Sequence, residues 1–102
     1  MLRTFRITEW LKESVMKIKS GYILKKVAEN YIVVPVGARA KEFNGMITLS
    51  ESSAILWKLL EKGADKEDMI NALLAEYNVE RAVVENDVEK FTKKLTEAGL
   101  VE

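Results

Sequence analysis

The chain changes periodicity once, and the place where it does so limits the folds open to it. Gly45-Met46-Ile47-Thr48-Leu49 has the short alternating pattern of a strand, and Ser50 is suited to cap a helix. Ala54, Ile55, Trp57, Leu59 and Leu60 then supply a broad apolar helical face that runs to Gly63. Residues before this point read as strand and those after it as helix. A sheet followed by helices, without alternation, belongs to an α+β domain. With 102 residues, the chain is long enough for one core and too short for two.

The strand half resolves into a meander. Residues 18–27 and 30–36 are rich in β-branched and aromatic side chains, and Ala28 and Glu29 separate them, with Asn30 suited to a tight turn, so a hairpin is expected. Pro35 cannot donate to a ladder and should sit at the end of its strand, at a bulge or where no partner is opposite, so the second strand is expected to end near it. Residues 37–42 read as a polar connector. Asn44-Gly45 favours positive φ and turns the chain into a third strand over 46–49.

The helical half has three segments. The first spans 51–62. Asp65 caps the second, where Met69, Ile70, Leu73, Leu74 and Tyr77 share one face. The last carries Val84, Val88, Phe91 and Leu95 inward and Lys90, Lys93, Lys94 and Glu97 outward. It stops at Gly99, after which Leu100 and Val101 should return to the core. Glu80 is a poor cap for it. The expected architecture is α+β: a three-stranded antiparallel β-meander followed by three helices, winged helix-turn-helix-like.

Composition excludes much chemistry. The chain has no cysteine and no histidine, which removes disulfides, thiolate nucleophiles, imidazole metal sites and histidine acid–base catalysis. No stretch has the spaced acids of a calcium loop, and the five glycines are isolated, so no phosphate loop is present. The Asp65/Glu67/Asp68 and Asp87/Glu89 clusters read as first-turn and solvated acids rather than paired catalytic carboxylates. Trp57 and Phe91 read as core rather than as a ligand cage. Neither an enzyme nor a cofactor or metal is expected. Apolar runs are far shorter than a bilayer span requires and no signal peptide is visible, so a cytoplasmic location is expected.

Binding is what remains. The third strand should lie at a sheet edge, where free N–H and C=O groups can accept an extended peptide. With the last helix beside it, the expected groove comprises Gly45, Met46, Ile47, Thr48, Leu49, Val84, Asp87, Val88 and Phe91. DNA binding by a winged helix is the competing reading. Residues 16–43 carry six basic against two acidic side chains, but residues 44–102 carry seven against twelve, and the last helix offsets its lysines with acids, which disfavours nucleic acid. A structural or dimerising role is a third reading.

The ordered set Gly21-Tyr22-Ile23-Leu24-Lys25-Lys26-Val27, Tyr31-Ile32-Val33-Val34-Pro35-Val36-Gly37, Phe43-Asn44-Gly45-Met46-Ile47-Thr48-Leu49-Ser50-Glu51 with Trp57, and Leu95-Thr96-Glu97-Ala98-Gly99-Leu100 resembles the PqqD family. That family comprises the peptide chaperone of pyrroloquinoline quinone biosynthesis and its stand-alone relatives, the RiPP recognition elements. The resemblance implies a winged helix-turn-helix-like domain over 16–102. It also implies binding of a precursor peptide's leader along the third strand and third helix, and delivery to a modifying enzyme, typically a radical S-adenosylmethionine enzyme. Residues 1–15 lie outside the family pattern, as an extension or appended segment. Residues 2–7 alternate like a strand, and Thr8 could cap a short helix bearing Trp10, Leu11 and Val15, so residues 2–11 are read either as a cover for the groove or the edge strand, in the same chain or in a neighbour, or as a frayed terminus or an ordinary helix closing the core. A homodimer through an edge strand or through residues 1–15 is the corresponding oligomeric expectation.

Overall fold

A computed structural model describes residues 15–42 and 46–102. The Asn44-Gly45 turn and the strand, cap and groove placement expected within residues 1–14 lie outside the described residues. Strands β1 (Tyr22–Val27) and β2 (Asn30–Pro35) form an antiparallel hairpin, and β3 (Ile47–Leu49) pairs antiparallel with β2, giving the order β1-β2-β3. The α+β meander is as expected. Asn30 pairs with Val27, however, so it belongs to the strand, and the turn is left to Ala28 and Glu29. Ala28 takes the strain, with φ at 57°. Pro35 is the last residue of β2, where its missing N–H costs no internal ladder bond.

Two boundaries differ from the sequence pattern. The first strand begins at Tyr22 and not at residue 18. Ile18 instead makes an isolated bridge to Val101, and the Lys19 N–H donates to the Leu100 carbonyl at 2.9 Å, so this apolar start closes the far side of the core. The polar connector contains a single helical turn, α1 (Arg39–Glu42). Arg39 Nε donates to the Ser20 carbonyl at 3.0 Å and its guanidinium lies 5.9 Å from the centre of the Tyr22 ring. A β-carbon on Gly21, whose φ is 96°, would overlap the Arg39 side chain, so this crossing needs glycine.

Three longer helices complete the chain: α2 (Glu51–Lys62), α3 (Lys66–Glu76) and α4 (Arg81–Glu97). Ser50 caps α2 by accepting the Ser53 N–H at 3.2 Å, and Gly63 terminates it. Asp65 and Asp68 form a reciprocal capping box on α3, which makes these acids structural. Glu80 precedes α4 without a side-chain cap. The apolar stripes meet the inner sheet face in one core, with Trp57 fully buried at its centre. Tyr22 packs against Trp57 in a T-shaped pair, ring centres 6.4 Å apart. Val84, Val88, Phe91 and Leu95 are all buried, as their spacing requires. On α2 the buried set includes Leu56, while Ile55 and Leu59 are only half-buried at the rim. No helix among the described residues is long and apolar enough to cross a membrane.

Candidate functional site

The register sorts the residues of β3. Leu49 opposes Tyr31 and Ile47 opposes Val33, all on the core face; Thr48 opposes Ile32 on the outer face. Among the described residues β3 pairs only with β2, so its other edge has main-chain groups without strand partners. α4 forms the wall beside that edge. Asp87, Lys90, Phe91 and Lys94 recur at the three- and four-residue spacing of one helical face, and with Thr48, Leu49 and Ser50 they line an open cleft of ≈ 310 Å³. Ser50, Ser52 and Asp87 are shared with an adjoining hollow of ≈ 360 Å³, otherwise formed chiefly by Leu73, Tyr77, Val79, Val83 and Val84. One continuous groove therefore follows α4, polar beside β3 and apolar beyond Ser50.

The residues singled out in the sequence divide by position. Thr48, Leu49, Asp87 and Phe91 come together in the cleft, and Val84 lines the apolar hollow. Val88 is 0% exposed, so it supports the wall from behind and presents no surface to a guest. Met46 is 67% exposed at the entrance to β3, and Ile47 faces the core; neither lines the groove. Gly45 lies outside the described residues. Lys90, Lys94, Val79 and Val83 were not anticipated. The lysines share the 87-90-91-94 face; Val83 stands off the buried stripe of α4 and Val79 lies in the connection before that helix, and they remain 49% and 47% exposed.

Charge on α4 is sorted by side. Glu85 pairs with Arg81, which also reaches Glu67 on α3, and Glu89 pairs with Lys66 at 2.6 Å. The hydrogen bond from Lys66 lowers the Glu89 pKa and raises that of Lys66. In the groove, by contrast, Lys90, Lys94 and Asp87 make no ion pair among the described residues. The Tyr77 hydroxyl donates to Glu51 Oε1 at 3.2 Å. Desolvation, then the neighbouring Glu51 carboxylate, raises its pKa and keeps it a neutral donor at the apolar end. Among the described residues no group of three or more Asp, Glu, His or Cys is placed to hold a metal.

Fold and groove together define a small α+β recognition module whose shaped surface is a strand edge walled by a helix. The family model of coenzyme PQQ synthesis protein D (PqqD) matches residues 30–101, and the chain belongs to the PqqD family. No curated protein matches it. Two solved structures are similar in fold, each with a TM-score of 0.67. TbiB1 in complex with the TbiA(beta) leader peptide is 26% identical, the match covering 84% of this chain and 94% of that one. Lasso peptide synthetase B1 complexed with the leader peptide is 20% identical, over 85% and 96%.

Proposed function

We propose that this protein is a non-catalytic chaperone that binds the leader segment of a ribosomally synthesised precursor peptide. The leader adds as a strand to β3 beside α4, and the loaded protein presents the precursor to a modifying enzyme in the cytoplasm, typically a radical S-adenosylmethionine enzyme. The observation that carries this reading is the edge of β3, unpaired among the described residues and opening onto the groove of Thr48, Leu49, Asp87 and Phe91. Main-chain hydrogen bonds on such an edge give affinity for any extended chain, and the groove beside it selects side chains. Membership of the PqqD family and likeness to two leader-peptide complexes support the same reading.

An amide titration by NMR tests it. Candidate leader peptides, the peptide of residues 1–15 and a duplex DNA are added in turn to the full chain. Shifts of the Ile47, Thr48 and Leu49 amides and of α4, caused by a leader and not by DNA, are expected. Shifts from DNA alone would replace this reading with the winged-helix one. If residues 1–15 occupy the groove, a chain beginning at Met16 responds to leader more strongly than the full chain.

A further inference from the structure

The two ends of the groove differ in chemistry. Beside β3, Lys90 and Lys94 flank Phe91 with no ion pair among the described residues and outnumber Asp87, the one acid of that lining, whereas the acids of α4 that reach Lys66 and Arg81 are neutralised. Two ammonium groups beside an apolar ring and a strand edge attract carboxylates. Beyond Ser50 the lining is chiefly Leu73, Tyr77, Val79, Val83 and Val84, with Val79 and Val83 half-exposed, which suits an apolar side chain.

Resting on the leader-binding reading, we infer that the groove selects an apolar side chain followed four residues later by an acidic one. The spacing comes from comparing helix and strand. From Val84 to the midpoint of Lys90 and Lys94, α4 advances eight residues, or about 12 Å at ~1.5 Å per residue. An extended guest covers that distance in about four residues at ~3.3 Å each. Four is even, so both side chains project from the same face of the guest, toward α4; an odd spacing turns one of them away. Direction comes from the sheet. Every ladder in it is antiparallel, and a guest that continues the pattern runs opposite to β3. Because β3 leads into Ser50, where the apolar end begins, the guest's earlier residues meet the valines and its later ones meet the lysines.

The test uses the full chain and a set of twelve-residue peptides sharing one backbone. The parent carries leucine followed four residues later by aspartate. Its relatives replace the acid by asparagine or lysine, move it by one position, or reverse the order. Affinities are measured for the natural chain, for Lys90→Glu/Lys94→Glu, and for Lys62→Glu/Lys93→Glu, which changes net charge equally away from the groove; circular dichroism checks that each variant is folded. The groove reversal is expected to weaken the aspartate peptide about tenfold and strengthen the lysine peptide similarly, with the effect shrinking in high salt. The control pair is expected to leave both affinities unchanged. Equal affinity for the aspartate, asparagine and lysine peptides would overturn the inference, as would tolerance of the moved acid or an equal effect from the control pair. In those cases shifts of the β3 amides would leave leader binding standing, and their absence with every peptide would remove that reading as well. Loss of duplex DNA binding on the same reversal, with no peptide response, would assign the lysines to nucleic acid and overturn the inference.

Discussion

Val83→Asp separates recognition from folding because the two effects come from different halves of one side chain. Val83 is the third residue of α4, 49% exposed, in the apolar end of the groove. Removing its buried half costs the fold about 1 kcal/mol. The substitution also supplies the first acid in the first turn of a helix whose cap makes no side-chain bond, and a carboxylate there contributes about 0.3–1 kcal/mol through the helix dipole. These terms nearly cancel, so the thermal midpoint should stay within about 4 °C of the natural chain. Binding has no such compensation. A guest covering the exposed half loses about 1 kcal/mol of apolar contact, and desolvating the new carboxylate without a partner costs about 1–3 kcal/mol more. Affinity for a leader should therefore fall about 30- to 700-fold. Fluorescence polarisation of a labelled leader and thermal unfolding by circular dichroism measure the two quantities. A large fall in the midpoint would put Val83 in the core, and unchanged affinity in a folded variant would remove it from the groove.

Three further outcomes concern the scaffold. Ala28→Gly should raise stability by about 0.5–1 kcal/mol, because relief of the positive φ at the hairpin turn outweighs the added freedom of the unfolded chain; denaturant titration measures it. Glu80→Asp should add about 1 kcal/mol by supplying the side-chain cap that α4 lacks, read as a higher midpoint. The Glu89 carboxyl is held below its ordinary pKa by the hydrogen bond from Lys66, so its contribution is fully present above the unfolded-state value and is lost as pH falls through the folded-state value. The difference in midpoint between the natural chain and Glu89→Gln should thus be flat at neutral pH and shrink on acidification below the ordinary glutamate range.

The helices were legible because burial on one face writes itself into spacing: Val84, Val88, Phe91 and Leu95 fall where the pattern put them, and Ser50 and Asp65 cap as their side chains allow. The wall of the groove was half legible for the same reason. Phe91 and Asp87 share a face that periodicity reveals, but periodicity cannot separate a residue at the rim from one behind it, and Val88 proved to be behind. Lys90 and Lys94 read as solvated outward charges, since nothing local shows that β3 passes beside them. The early end of the chain misled for a related reason. Ile18 has the composition of a strand, yet its partner is Val101, more than eighty residues away, and short-range pattern carries no information about so distant a contact.

The sheet has two edges without strand partners among the described residues, and they are defended differently. β1 is six residues long, enough to template another chain, and carries Lys25 and Lys26 near its end, with Lys26 Nζ 5.6 Å from the centre of the Tyr31 ring. Lysines on an edge oppose pairing because a second strand would have to desolvate them. β3 is only three residues long and bears none. Beside it stands α4, whose Asp87, Lys90, Phe91 and Lys94 line the cleft along that edge. On the proposed reading the guest takes this edge, since a short strand without lysines leaves nothing that a guest would have to desolvate. Lys25→Thr/Lys26→Thr should remove the guard from β1, so sedimentation velocity should show self-association rising with concentration beyond that of the natural chain. Leader affinity, measured at a concentration where the variant is dispersed, should be unchanged, since the proposed guest docks at the other edge. If the variant sediments like the natural chain at every concentration, the lysines do not guard β1. If it loses leader affinity while dispersed, the guest uses the hairpin edge and the assignment of the groove to β3 fails.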